Sequence, residues 1–98
     1  MIFYEVNLEI DQDIYKEYLS WLKDHIQKML SLKGFVKAQI YEVNSPKTSS
    51  KTLSVVYEVD SRESLENYFK VDADRMRSEG VERFNGKFKA GRRVLTKI

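Results

Sequence analysis

Residues 2–34, IFYEVNLEIDQDIYKEYLSWLKDHIQKMLSLKG, show two hydrophobic periods in succession, the first typical of a strand and the second of a helix. Residues 2–10 alternate between apolar and mostly polar side chains, which is typical of a half-buried strand. After Asp11 or Asp13, either of which is a suitable N-cap, apolar residues follow helical spacing until Gly34 offers a stop. The segment therefore predicts a strand followed by an amphipathic helix.

A hairpin follows this helix. Residues 35–44 and 52–60 have the composition of strands, and the turn segment SPKTSS between them holds the only proline. The length of that segment predicts a hairpin with a long loop.

A second helix and a last strand complete the chain. Asp60 or Ser61 can cap the helix, Gly80 is expected to end it, and residues 87–97 make the strand. The order is that of an α+β, ferredoxin-like βαββαβ domain covering residues 1–98. Right-handed crossovers then predict a four-stranded antiparallel sheet in the order 4-1-3-2, with two helices on one face.

The composition excludes several classes of function. The chain has no cysteine and one histidine, which removes disulfides and thiolate chemistry and argues against a metal centre. No phosphate-binding glycine loop and no serine nucleophile motif occurs, so no cofactor is expected. The first residues lack the basic region of a signal peptide and carry Glu5 and Glu9, so we expect a cytoplasmic protein without a membrane span.

The helix phases bring five side chains to one seam. At about 100° per residue, Tyr18, Trp21 and His25 lie on the flank of the first helix that faces the second helix. Tyr68 and Asp72 lie on the corresponding flank of the second helix. One interpretation is a closed structural contact, in which His25 bonds Tyr68 or Asp72. The other is an open pocket in which His25 acts as a general base that Asp72 orients.

Arg92 is a further candidate for this region. The phase of the last strand that turns Phe88, Ala90 and Val94 inward also turns Arg92 inward. A buried guanidinium needs a carboxylate partner, for which Asp72 is a candidate.

The face of the sheet that the helices leave open mixes apolar, aromatic and charged residues. Such a mixture favours a partner surface with ion pairs, so we expect a homodimer in which two sheets pack face to face. RNA-recognition domains share this element order, but the third strand here presents Ser54, Val56 and Glu58 where those domains place stacking aromatics. The pattern argues against nucleic-acid binding. The outward residues are Phe3, Glu5, Asn7, Glu9, Phe35, Lys37, Gln39, Tyr41, Val43, Ser54, Val56, Glu58, Lys89, Arg93 and Leu95.

The segments WLKDHIQKMLSLKGFVKAQIYEV and LENYFKVDADRMRSEGVERFNGKFKAGRRVL resemble a family of small bacterial proteins classed only as a domain of unknown function. The resemblance implies a dimeric α+β barrel and no particular activity. The wider superfamily includes cofactor-independent monooxygenases and haem-degrading enzymes, and this is an analogy of fold alone. The residues that carry the resemblance are Trp21, His25, Met29, Leu30, Gly34, Tyr68, Asp72, Ala73, Gly80, Arg83, Phe84, Lys87, Phe88, Ala90 and Arg92.

The sequence thus predicts a homodimeric small-molecule-binding or interaction module whose biochemical function is unknown. The alternative is a cofactor-independent enzyme, monooxygenase-like or isomerase-like, that uses His25 and Asp72 in a pocket between the helices and the sheet. Tyr18, Trp21, Tyr68 and Arg92 would then line the binding site.

Overall fold

The computed structural model describes residues 1–46 and 48–98, and its elements follow the predicted order. A 3₁₀ turn, Gln12–Ile14, joins the first strand to the first helix. Lys47, in the predicted turn segment, lies outside the described residues. The elements are β1 (Ile2–Asp11), α1 (Tyr15–Leu30), β2 (Phe35–Val43), β3 (Ser50–Val59), α2 (Arg62–Val71), α3 (Ala73–Arg83) and β4 (Phe88–Thr96).

The four strands form one antiparallel sheet in the order β2-β3-β1-β4, which confirms the predicted topology. Tyr4 of β1 lies opposite Tyr57 of β3 on one side and Val94 of β4 on the other. Because side chains alternate along a strand, these residues share the inner face of the sheet.

The core lies between this inner face and the helices. Tyr4 meets Tyr68 of α2 with ring centroids 5.8 Å apart, and Phe88 of β4 meets Tyr18 of α1 at 5.0 Å. Helices α1 and α2 therefore pack on the same face of the sheet. The buried hydrophobic residues are Ile2, Tyr4, Leu8, Ile10, Tyr18, Leu22, Ile26, Met29, Phe35, Leu53, Val55, Tyr57, Val59, Leu65, Tyr68, Ala73, Met76 and Phe84.

The second helix is broken in two, so the structure has three helices where the sequence predicted two. Asp72 ends α2 and precedes α3, and its φ of −113° departs from the helical value near −63°. The expectation that Gly80 ends the helix is wrong, because α3 continues to Arg83. Gly80 is instead buried against the indole of Trp21, which a Cβ at this position would displace.

The helix caps are partly as predicted. The Ser61 hydroxyl accepts a hydrogen bond from the Ser64 backbone N–H at 3.1 Å, which is an N-cap. Asp11 and Asp13 do not cap α1, because the 3₁₀ turn separates them from its first residue. Asp11 extends β1 instead, and Asp13 pairs with Lys87, its carboxylate 3.3 Å from Nζ.

A bulge at the start of β2 reverses the predicted orientation of Phe35. Phe35 lies opposite Val59 whereas Lys37, two residues on, lies opposite Glu58. Val36 is the extra residue of this bulge, and it reverses the alternation of side chains along β2. Phe35 therefore turns inward, where it is buried and its ring centroid lies 5.2 Å from that of Tyr68. The prediction that Phe35 faces outward is therefore wrong.

Candidate functional site

A cavity of about 340 Å³ lies between the helices and the inner face of the sheet. The strands contribute Tyr4, Val6, Leu8 and Val55 to its walls, and α1 contributes Met29. Most of the lining is therefore apolar. The lining residues with polar side-chain groups are Tyr4, Tyr18, Trp21, His25, Tyr57, Tyr68, Arg77 and Arg92.

Four tyrosines line the cavity. Burial raises the pKa of Tyr18, Tyr57 and Tyr68 well above the usual value near 10. Their hydroxyl groups therefore stay protonated at physiological pH. The Tyr4 hydroxyl accepts a hydrogen bond from Arg77 Nη2 at 3.2 Å.

Trp21 and His25 stand together at the seam between α1 and α3. Their rings stack with centroids 4.7 Å apart and an interplanar angle of 22°. Both residues line the cavity on one side and, on the other, an outer groove formed with Asp24, Lys28, Glu79, Glu82 and Arg83. The stacked pair therefore forms the wall that separates the cavity from the outer groove.

His25 is largely buried, with 13% of its side chain exposed. Nδ1 lies 3.8 Å from Glu79 Oε2, which is longer than a hydrogen bond, and no other described residue bonds it. Burial lowers the pKa of His25, and the nearby Glu79 carboxylate opposes that effect without cancelling it. The imidazole is therefore neutral at physiological pH, with one nitrogen able to accept a proton.

The structure brings most of the predicted seam residues together. Tyr18, Trp21, His25 and Tyr68 all line the cavity, and Arg92 lines it from β4, as its predicted inward phase requires. The prediction that Arg92 is buried is wrong, because the residue as a whole is exposed.

Asp72 is the exception among the predicted seam residues. Its carboxylate accepts a hydrogen bond from Arg75 Nη2 at 2.8 Å, and it is not among the cavity-lining residues of the described chain. The prediction assumed one continuous helix beside α1. Because the helix breaks at Asp72, α3 lies beside α1 at this level, and Glu79 rather than Asp72 is the carboxylate near His25.

The sequence did not predict several residues of the site, among them Tyr4, Tyr57, Glu79, Arg77 and Gly80. Glu79 follows Asp72 by seven residues, which is two helical turns, so helical spacing alone could have suggested it. Arg77 and Gly80 gave no such signal, because their roles depend on the tertiary contacts with Tyr4 and Trp21.

A family model described as "Domain of unknown function (DUF4286)" matches residues 1–98. The chain belongs to this family. No match was found among curated proteins.

Solved structures with the fold of this DUF4286 chain share only 10–15% sequence identity with it, so the likeness concerns the fold alone. An antibiotic biosynthesis monooxygenase has a TM-score of 0.72 and 10% identity, with 100% of this chain and 99% of the other covered. SnoaB, a cofactor-independent oxygenase from Streptomyces nogalater, has a TM-score of 0.67 and 11% identity, with 99% and 93% covered. A dimeric ferredoxin-like protein from an uncultured marine organism has a TM-score of 0.70 and 15% identity, with 100% and 95% covered.

The open face of the sheet in this DUF4286 chain carries a polar network at its centre. Glu5 of β1 accepts hydrogen bonds from the Arg93 guanidinium and, at 2.7 Å, from the Ser54 hydroxyl. These bonds, Arg93 first, hold the pKa of Glu5 below its usual value. Tyr41, Val43 and Leu95 lie around this network and are exposed.

In the described part of the chain, no group of three or more histidine or acidic side chains is placed to hold a metal ion. None of the helices within residues 1–46 and 48–98 is long and apolar enough to cross a membrane.

Proposed function

We propose that this protein binds a small molecule in the cavity between its helices and its sheet. The cavity of about 340 Å³ carries the proposal, since pockets for small ligands are typically concave, mostly apolar and fitted with a few convergent polar groups. His25, Arg77, Arg92 and the tyrosine hydroxyls are those groups.

The loose packing around the cavity supports a binding role. Protein interiors are packed nearly as densely as organic crystals, and atoms that line a gap lose dispersion contacts on that side. The apolar side chains in the walls of this cavity lack those contacts. A bound molecule that filled the space would recover part of that loss.

Binding of small apolar probes tests this function. Octan-1-ol and 2-tetralone are added to the ¹⁵N-labelled protein and followed by amide NMR shifts and by melting temperature. Saturable shifts at cavity-lining residues and a rise in melting temperature are expected. Shifts that never saturate, or that lie away from the cavity, would contradict the proposal.

A matched pair of variants locates the binding. Ala90 lines the cavity, whereas Ala38 occupies the same inner face of the sheet on β2 and does not line it. Ala90→Met should fill part of the cavity and weaken probe binding at least ten-fold. Ala38→Met should leave binding within two-fold of the natural chain, and an equal effect of both variants would place the probe elsewhere.

A second candidate function is proton-transfer catalysis by His25. The observation that favours it is the neutral, largely buried imidazole in the cavity wall with Glu79 beside its Nδ1. A general base with an orienting carboxylate would use these two groups, with Glu79 in the role first given to Asp72, once their 3.8 Å separation shortens to a hydrogen bond. The SnoaB likeness adds only the precedent of a cofactor-independent oxygenase on this fold.

Proton exchange in 2-tetralone tests the catalytic candidate, because its α-protons are acidic and the molecule has about the right size. In deuterated buffer, loss of the α-proton NMR signal should be faster with the protein than without it. His25→Gln should abolish the acceleration without preventing 2-tetralone binding. An unchanged exchange rate in that variant would refute a role for His25 as base.

We also propose that the open face of the sheet is the interface of a homodimer. The exposed Tyr41, Val43 and Leu95 around the Glu5–Arg93 pair support this, as does the likeness to a dimeric ferredoxin-like protein.

The lack of cysteine suits a reducing compartment, and we propose that the protein is cytoplasmic.

Sedimentation equilibrium at high micromolar concentration tests the dimer. Val56→Lys puts a charge at the centre of the open face, next to Glu5 in the β1–β3 register, and should yield a monomer. Val71→Lys makes the same change at the exposed end of α2 and should remain dimeric. A natural chain that sediments as a monomer would refute the interface.

A further inference from the structure

The charged side chains that line the cavity are all of one sign. Arg77 and Arg92 line it, and among the described residues no aspartate or glutamate does. His25 is neutral and the hydroxyl groups of Tyr18, Tyr57 and Tyr68 are protonated, so they do not balance the two guanidinium groups. The cavity therefore presents positive charge to whatever occupies it.

Arg92 and its neighbour Arg93, both on β4, differ in whether a carboxylate pairs with them. Arg93 faces the open side of the sheet and pairs with the carboxylate of Glu5. Arg92 faces the cavity, and the described residues provide it with no ion pair or hydrogen bond to a carboxylate. Its charge reaches across the cavity, since it acts to lower the pKa of Tyr18, His25, Tyr57 and Tyr68.

Arg77 has spare hydrogen-bonding capacity as well. Its Nη2 donates to the Tyr4 hydroxyl and its guanidinium lies 6.0 Å from the ring centroid of Phe69. Its Nε is buried without a hydrogen-bond partner among the described residues. A buried donor without a partner costs free energy that a ligand acceptor would recover.

The cavity walls restrict the polarity and the size of the part of the ligand that lies away from the guanidinium groups. Around the guanidinium groups stand the apolar side chains of Val6, Leu8, Met29 and Val55 and the faces of the tyrosine rings. A water molecule occupies about 30 Å³ of liquid, so about 340 Å³ holds roughly ten non-hydrogen atoms. A small hydrophilic anion would leave these walls without contact.

We propose that the ligand is a mostly apolar monoanion of roughly ten non-hydrogen atoms, with its carboxylate or similar group bound by Arg92 and its apolar part against the sheet. This deepens the small-molecule binding proposed above and rests on it. The guanidinium presents a planar fork of donors that matches a carboxylate.

Octanoate and octan-1-ol test the proposal because they have the same chain and differ in the charged group. Isothermal titration calorimetry at neutral pH should show tighter binding of octanoate than of octan-1-ol. Arg92→Gln should weaken octanoate about ten- to hundred-fold, the effect expected for a hydrogen bond to a charged group, and leave octan-1-ol unchanged. Retained octan-1-ol binding also shows that the variant is folded.

Two further variants complete the design. Lys89→Gln removes the same charge from the same strand on the opposite face, and should change octanoate binding less than two-fold. Arg92→Lys keeps the charge without the planar fork, so octanoate affinity should fall between those of the natural chain and Arg92→Gln.

The outcomes separate this proposal from the one on which it rests. If octan-1-ol binds as tightly as octanoate, or if Lys89→Gln weakens octanoate as much as Arg92→Gln does, the anionic ligand is refuted and the binding cavity stands. If neither compound binds at the cavity, both proposals fail.

Discussion

Substitution of Gly80 by alanine tests the packing of the wall between the cavity and the outer groove. A Cβ at this position would lie 2.9 Å from Trp21 Cη2 and 3.4 and 3.5 Å from two further indole carbons. The shortest of these distances is below normal carbon contact, so the indole must move. Because Trp21 stacks on His25, its displacement would disturb the seam as a whole.

Two opposed effects set the magnitude for Gly80→Ala. Alanine is better than glycine inside a helix by about 1 kcal/mol, and overpacking a core contact costs about 1–3 kcal/mol. A net loss of up to about 2 kcal/mol in the free energy of unfolding is expected. In a domain of this size, each kcal/mol lost from the free energy of unfolding lowers the melting temperature by roughly 4–8 °C.

A double-mutant cycle with Trp21→Phe isolates the contact. The smaller ring should leave room for the new methyl group, so Gly80→Ala should stabilise the Trp21→Phe protein by about 1 kcal/mol through helix propensity. Unfolding in urea gives the four free energies, and the fluorescence of the only tryptophan reports its surroundings in the Gly80→Ala protein. If Gly80→Ala stabilises the natural chain by the same amount, Trp21 does not pack on Gly80 and the described wall is wrong.

Three other predictions concern pH, backbone and capping. Burial lowers the pKa of His25 in the folded state below the value of about 6.5 in an unfolded chain, so its contribution to stability is complete above pH 6.5 and is lost as pH falls through the folded-state pKa; urea unfolding at several pH values should show this slope, and His25→Gln should reduce it. Gly34→Ala should lower the free energy of unfolding by more than about 2 kcal/mol, because φ is +88° and the new Cβ would lie 2.5 Å from Ser64 Oγ. Gly86→Ala, where φ is +76° but the space is open, should lower it only by the roughly 1–2 kcal/mol that the left-handed backbone costs. Equal losses in thermal unfolding would argue against the Ser64 contact. Ser61→Ala should cost about 1 kcal/mol by removing the α2 cap, and an unchanged melting temperature would show that the cap contributes nothing.

The fold could be predicted because its signals are local. The period-2 pattern of residues 2–10 and the helical spacing after Ile14 mark the elements directly, and the right-handed crossover rule then leaves one strand order. The errors fall where a tertiary contact overrides a local signal. Gly80 reads as a helix stop, but it lies inside α3 because the indole of Trp21 occupies the space beside it. The alternating pattern of β2 places Phe35 outward, because the pattern does not reveal the bulge that turns it inward.

The candidate site could be predicted only in part. Helical phase correctly brought Tyr18, Trp21, His25 and Tyr68 to one region, because each residue's angle around its helix follows from spacing. Spacing does not give the level at which two helices meet once one of them is broken. The carboxylate beside His25 was therefore assigned to Asp72 rather than to Glu79.

Intermolecular NMR contacts would show whether the cavity between the helices and the sheet binds a small molecule. With saturating octanoate, nuclear Overhauser effects are expected from the alkyl chain to the side chains of Met29, Leu8 and Val55, which line the cavity. Contacts confined to exposed residues such as Val36 and Val71, or no contacts to the protein, would contradict binding in the cavity.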